Sequence, residues 1–277
     1  MSEFVPENVT PADASATLHG RVALVSGANH GIGAATAMAL AARGARVLLT
    51  YLRLEDAPDP ATPDAYRHNR ARAAADVVEA IRGAGGTAEA VEADLADPLT
   101  PARLFDTAEE RIGGVDILVN NASGWLADTF KPGATDRFGR SLLPVTAESF
   151  DRQFAVDARG GALMIAEFAR RSVARKAGWG RIVSLTSGAG GGFPEEVSYG
   201  AAKAALVDYT LAAATELAPY GITANAVHPP VTDTGWVSDE VRGQVGRVAL
   251  PEEVAEVIAF LASEQGRLVT GNLLHLK

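Results

Sequence analysis

From residue 21 onward the chain alternates short, β-branched apolar runs with longer Ala-rich segments of helical spacing. The apolar runs fall at 22–26, 46–51, 88–92, 117–120, 182–186, 223–228 and 272–276. Helical stretches fall between them at 32–43, 72–82, 102–111, 161–176, 201–218 and 252–263. Strands alternating with helices are the mark of βαβ units and a parallel sheet. The first five runs are near-continuously apolar, as strands covered on both faces should be. The pattern predicts a single α/β domain over residues 21–277, a doubly wound parallel sheet with helices on both faces.

Three segments break the rhythm. Residues 1–20 are polar, rich in Pro, Thr and Ala, and show no period, which predicts a disordered arm. Residues 52–69 are rich in Pro and Asp and separate a strand from its helix, the composition of a solvated excursion. Residues 123–149 carry Trp125, Phe130 and Phe138 without a clear period, so this insertion reads equally as a loop or as a lid over a binding cleft.

Composition narrows the chemistry. The 277 residues include no cysteine, which excludes disulfides and thiolate catalysis and agrees with a reducing compartment. A formal net charge of −9 without a basic run makes nucleic acid and anionic membrane poor partners. No secretory leader is evident and no apolar stretch reaches membrane-spanning length, so the expected location is cytoplasmic. His19, His30, His68, His228 and His275 lack ligand spacing, and no metal is expected.

The first apolar run leads into Ser26-Gly27-Ala28-Asn29-His30-Gly31-Ile32-Gly33, which opens the first helix. A dinucleotide pyrophosphate must approach backbone N–H groups at a helix N-terminus. Gly27 and Gly31 supply turn geometry and close approach, and Gly33 lets the helix pack on the strand. This turn resembles the T-G-x-x-x-G-x-G hallmark of the short-chain dehydrogenase/reductase family, with Ser26 in place of threonine. The likeness runs from Arg21 to Leu276. It implies a Rossmann-type sheet of about seven strands in the order 3-2-1-4-5-6-7, and a homo-oligomer, tetramer or dimer.

The resemblance extends to the cofactor contacts. It places Asn29, His30 and Ile32 on the phosphates with the three glycines. Asp94 and Leu95 fall where relatives meet the adenine ring, and Asn121, Ala122 and Ser123 match the family's N-N-A-G end. The second strand ends Thr50-Tyr51-Leu52-Arg53, without the acid that favours NAD. Thr50 or Tyr51 stands in that acid's place, while Arg53 and His30 offer positive charge for a 2′-phosphate, so NADP(H) is favoured over NAD(H).

Tyr199 and Lys203 are spaced four apart, which puts them on one helical face. A carbonyl that receives hydride becomes an alkoxide and needs a proton at that moment. A tyrosine near pKa 10 donates and accepts poorly at neutrality, and a neighbouring ammonium is expected to lower it. The resemblance also assigns Lys203 to the nicotinamide ribose, as a hydrogen-bond donor. It implies a carbonyl-polarising serine at the end of the preceding strand. Ser187 is twelve residues before Tyr199 where relatives have thirteen; Thr186 is the rival. A one-residue deletion within 188–192 would reconcile the spacing.

Two departures stand out from the family pattern. Asp157 occupies the usual asparagine position and would bring charge to Lys203 if the two are close. Pro230 replaces a glycine after the sixth strand, in a loop where Pro229, Val231 and Thr234 match the nicotinamide contacts. The expected activity is an NAD(P)(H)-dependent reductase or dehydrogenase acting on a small-molecule carbonyl/secondary-alcohol pair. Two stretches, 145–160 and 181–187, look most like 3-oxoacyl-carrier-protein reductases. The alternative is a cofactor-binding redox sensor or scaffold without turnover.

Overall fold

In β1 (Val22–Val25), Val22 and Leu24 point into one hydrophobic cluster while Ala23 and Val25 point into the other, and all four are buried. That is the sandwich the unbroken apolar runs predicted: a sheet with helices on both faces. One cluster joins β1 to α1 (Gly31–Ala42) and α9 (Pro251–Leu261) through residues such as Leu40 and Ile258. The opposite cluster gathers α4 (Thr100–Arg111), α6 (Gly161–Ala174) and α7 (Val197–Leu217) through Phe105, Phe168 and Leu206.

The computed structural model describes residues 18–55, 59, 61–187 and 192–277. Seven parallel strands form the main sheet: β1, β2 (Arg46–Tyr51), β3 (Thr87–Glu92), β4 (Ile117–Asn120), β7 (Gly180–Leu185), β8 (Ile222–His228) and β9 (Leu273–His275). Their spatial order is β3-β2-β1-β4-β7-β8-β9, the expected Rossmann-type arrangement. Strand order reverses between β1 and β4, and ligands of open α/β sheets bind outside the carboxyl ends at such a switch point. A separate two-stranded ribbon, β5 (Asp128–Thr129) with β6 (Leu143–Pro144), lies in the second insertion.

Three local readings change. Of the predicted arm, residues 1–17 lie outside the described residues, while Leu18 is fully buried in the core beside α1. The first insertion is not merely a solvated excursion, for it contains α2 (Asp64–Ala71). That helix packs on the glycine turn: the Asn29 side-chain amide donates to the Asn69 and Arg72 carbonyls, at 3.2 and 2.8 Å. Its docking uses amides and a tyrosine ring rather than an apolar stripe, so hydrophobic periodicity does not report it. The second insertion ends in α5 (Ala147–Phe154), started by a reciprocal cap in which Thr146 and Ser149 each accept the other's backbone N–H. Helix α5 passes through a π-helical turn, residues Ala155–Gly160, into α6. α3 (Ala75–Gly83) and α8 (Asp239–Gln244) complete the order.

Candidate active site

The carboxyl ends of β1 and β4 build a cradle for an anion. Gly27 and Gly31 have φ of 64° and 57°, and a Cβ on Gly27 would stand 2.8 Å from the Ala122 backbone. A Cβ on Gly33 would meet the Gly27 carbonyl at 2.2 Å, so helix and turn touch only because position 33 is glycine. α1 starts with no side-chain cap and no acid in its first turn, which leaves its amino end to an external anion. Ser26 Oγ accepts the Asn121 and Ala122 amides, and Asn121 Nδ2 donates to the Ser26 and Gly27 carbonyls. These bonds clip β4 to the turn. The cradle fits a dinucleotide pyrophosphate.

The adjoining cleft, of about 390 Å³, is lined by Asn29, His30, Ile32, Tyr51, Asp94, Leu95, Ala122 and Ser123. Ile32 also lines the neighbouring cleft, which holds Pro229, Val231 and Thr234, so the loop with Pro230 still borders the site. Both cations expected for a 2′-phosphate behave differently. Arg53 is exposed and held by Glu92, with its Nε 3.0 Å and its Nη2 2.8 Å from that carboxylate, and it does not line the cleft. The acid that holds it lies on β3, a cross-strand pairing not visible from the end of β2 alone. His30 is neutral: burial, aided by Arg70 and Arg72, lowers its pKa to about 4. Its ring stands edge-on to Tyr66 at 6.3 Å. The cleft is instead lined by Arg70, brought by α2, and by Arg152 of α5, neither of them anticipated.

Tyr199 and Lys203 lie one turn apart on α7 and share a cleft of about 470 Å³ with Ser187. Ser187 hydrogen-bonds Tyr199, whereas Thr186 turns its hydroxyl 3.4 Å from the Lys203 carbonyl. Residues 188–191, where the deletion was expected, lie outside the described residues. Lys203 Nζ donates to the Leu185 carbonyl at 3.1 Å and pairs with Asp157 Oδ1 at 2.9 Å, both side chains being buried. The other carboxylate oxygen of Asp157 accepts the Gly124 amide at 2.9 Å and the Gln153 side chain at 2.5 Å. The π-helical turn carries Asp157 into this position.

The pair corrects one expectation. Tyr199 is pushed well above its ordinary pKa, first by burial and then by the Asp157 charge; the Ser187 hydrogen bond opposes the rise. The ammonium does not prevail because burial disfavours the phenolate and a carboxylate lies against the lysine.

Further side chains at the site escaped the sequence reading. Asp128, fully buried, accepts Ser198 N at 2.8 Å, Ser198 Oγ at 2.5 Å and Ser149 Oγ at 3.0 Å, anchoring the start of the Tyr199 helix. Arg140 from the second insertion pairs with Asp136 at 2.6 Å and with Glu196 at 2.8 Å. Glu196 precedes Tyr199 by three on the same helix start, a spacing legible in sequence; Arg140 carries no such signal. Trp125, Phe138, Phe193 and Trp236 wall the cleft around them, so the second insertion borders the cleft that holds Tyr199.

A family model described as enoyl-(acyl carrier protein) reductase matches residues 27–276. The chain is 37% identical over 264 residues to cis-4-hydroxycyclohexanecarboxylate dehydrogenase of Sinomonas cyclohexanicum, covering 92% of this chain and 94% of that protein. It belongs to the short-chain dehydrogenase/reductase family. Within this oxidoreductase family it is also 31% identical to the 3-oxoacyl-[acyl-carrier-protein] reductase of Aquifex aeolicus, across 94% of this chain and 96% of that one. Among solved structures, an angucycline C-6 ketoreductase with bound NADP aligns at a TM-score of 0.75 and 32% identity, covering 94% and 95% of the two chains. Among the described residues, no group of three or more side chains is arranged to hold a metal, and no helix is long and apolar enough to cross a membrane.

Proposed function

We propose that this chain is an NADP(H)-dependent reductase/dehydrogenase that interconverts a ring ketone and its secondary alcohol, with Tyr199 as general acid and base. The observation that carries the reading is the convergence of Ser187, Tyr199 and Lys203 on one cleft beside the glycine cradle. When bound, the nicotinamide supplies or accepts the hydride. Ser187 donates to the carbonyl oxygen and polarises it, as positioned donors do where charge develops. Tyr199 gives its phenolic proton to the oxygen on reduction and takes it back on oxidation. Lys203, fixed between Asp157 and the Leu185 carbonyl, holds positive charge behind the phenol and would donate to the ribose of a bound cofactor. A raised Tyr199 pKa keeps the phenol protonated at neutral pH, the form that reduction requires.

Preference for NADP(H) is supported by the acid-free end of β2, by Arg70 in the nucleotide cleft and by a structural relative with bound NADP. The four aromatic rings that wall the substrate cleft favour a ring ketone over a linear 3-oxoacyl thioester. Relatives whose names specify a hydroxycyclohexane acid and an angucycline act on ring compounds.

The second reading, a cofactor sensor without turnover, is favoured by one feature, the charge of Lys203 being spent on Asp157. Rates with a panel of cyclic ketones and 3-oxoacyl thioesters, using NADPH and NADH, test the proposal. Turnover of cyclic ketones with NADPH is expected. Tight cofactor binding without oxidation or reduction of any substrate would replace it with the sensor.

A further inference from the structure

The Asp136–Arg140–Glu196 cluster has no part in the proton chemistry above, yet two of its members line the catalytic cleft. Arg140 and Glu196 keep only 13% and 12% of their side-chain surface exposed, and Asp136 keeps none. Replacing a buried ion pair with apolar groups is often neutral or stabilising, so stability alone is a poor reason to place one here. Its surroundings are specific. The Arg140 guanidinium carbon lies 5.1 Å from the Trp125 ring, 5.4 Å from Phe138 and 5.8 Å from Trp236. The Trp125 side chain hydrogen-bonds the Glu196 carboxylate. A box of flat rings is thus closed at one end by a carboxylate and a guanidinium.

The unused valences match a hydroxyl. An arginine has five N–H donors, and only Nε and Nη2 of Arg140 make hydrogen bonds among the described residues, leaving Nη1. A carboxylate has about four acceptor sites, and Glu196 gives two of them to Arg140 and Trp125. A group that both donates and accepts can therefore join the pair without breaking it. Glu196 also begins α7 one turn before Tyr199, so the polar end and the proton donor border the same cavity.

We propose that Glu196 and Arg140 read a second oxygen of the substrate, making the preferred substrate class a ring ketone that carries a hydroxyl group away from the reacting carbonyl. The aromatic walls hold the ring plane, Ser187 and Tyr199 meet the carbonyl, and Glu196 accepts the distal hydroxyl while Arg140 donates to it. This rests on the ketone-reductase reading above. Sites built to hydrogen-bond a substrate hydroxyl discriminate strongly against analogues that lack it, because their polar groups are left unpaired.

The test is a binding ratio, read independently of turnover. The full-length protein saturated with NADP⁺ is titrated with 2-naphthol and with a set of naphthalenediols. At least one diol is expected to bind about tenfold tighter than 2-naphthol, the low end of the effect of one hydrogen bond to a charged group. Glu196→Gln, which keeps the shape and removes the charge, is expected to bring the ratio to within about threefold of unity, while Asp136→Asn, outside the cleft lining, preserves it. A cluster that serves only to latch the insertion would weaken both ligands equally and leave the ratio unmoved in Glu196→Gln. That result, or equal binding of naphthol and every diol by the unmodified protein, overturns the proposal. Failure of the ketone panel with an intact diol ratio would overturn the reductase reading instead.

Discussion

Replacing Asp157 with asparagine removes a buried carboxylate 2.9 Å from the Lys203 ammonium and keeps a side chain of nearly the same shape. Lys203 Nζ lies 5.8 Å from the centre of the Tyr199 ring. At an effective dielectric of about 20, a unit charge at that distance favours the phenolate by about 3 kcal/mol, or about two pH units. Asp157 Oδ1 is at most 2.9 Å farther from the ring, so it opposes with at least about 2 kcal/mol, or about 1.4 pH units. Asp157→Asn therefore lowers the Tyr199 pKa by about one and a half units or more.

The sign differs for the two directions. Alcohol oxidation needs the phenolate and rises with pH through the Tyr199 pKa, so its rise moves to lower pH in the variant. Ketone reduction needs the phenol and falls as pH passes that pKa, so its decline moves to lower pH as well. The assay is kcat/KM against pH in both directions, with the rate at the optimum staying within about tenfold of the parent. The variant also leaves Lys203 without a charged partner among the described residues. A lower melting temperature is expected, and the profiles are taken below it. Profiles that stay in place, or move to higher pH, would refute the view that Asp157 offsets Lys203 at the tyrosine.

His30 makes a separate prediction about stability. Its folded pKa of about 4 lies below the ordinary 6.5, so the unfolded chain binds its proton first on acidification. The stabilisation is full above about pH 6.5 and is lost as pH falls to about 4, a change of about 3 kcal/mol. His30→Gln should flatten the melting temperature over that interval; an unchanged slope would contradict it. For cofactor choice, Arg70→Gln should lower the NADPH/NADH ratio of kcat/KM at least tenfold, whereas Arg53→Gln should not. The reverse result would mean that Arg53 leaves Glu92 when cofactor binds. Asp128→Ala removes the acceptor at the start of the Tyr199 helix. It should reduce kcat more than cofactor affinity, measured by turnover and by titration.

The elements most legible in the chain were those whose physics is local. Gly27 and Gly33 announce a turn because side chains there would collide with backbone one strand or a few residues away, and Gly31 because its φ of 57° favours glycine. Tyr199 and Lys203 meet because helical geometry alone brings i and i+4 together. The apolar strands declare a sheet covered on both faces because burial on both sides leaves no polar position.

What stayed hidden depends on contacts between distant segments. Arg53 reads as a free cation until β3 supplies Glu92, and His30 reads as basic until α2 buries it. Asp157 is conspicuous in sequence, but only the fold sets its 2.9 Å contact with Lys203 and so the direction of the Tyr199 shift. The cluster of Asp136, Arg140 and Glu196 joins an aperiodic insertion to a helix start, a pairing with no spacing to betray it.

In the proposed mechanism Tyr199 moves the proton while the glycine cradle holds the cofactor, and isotope transfer separates the two duties. NADPH deuterated at the transferable position is incubated with a cyclic ketone and either the parent protein or Tyr199→Phe, and cofactor affinity is measured alongside. Deuterium is expected on the carbinol carbon of the product with the parent protein. With Tyr199→Phe, transfer is expected to slow about a thousandfold or more while cofactor affinity stays within a few-fold of the parent. Transfer by Tyr199→Phe at a rate near that of the parent would contradict the proposed mechanism.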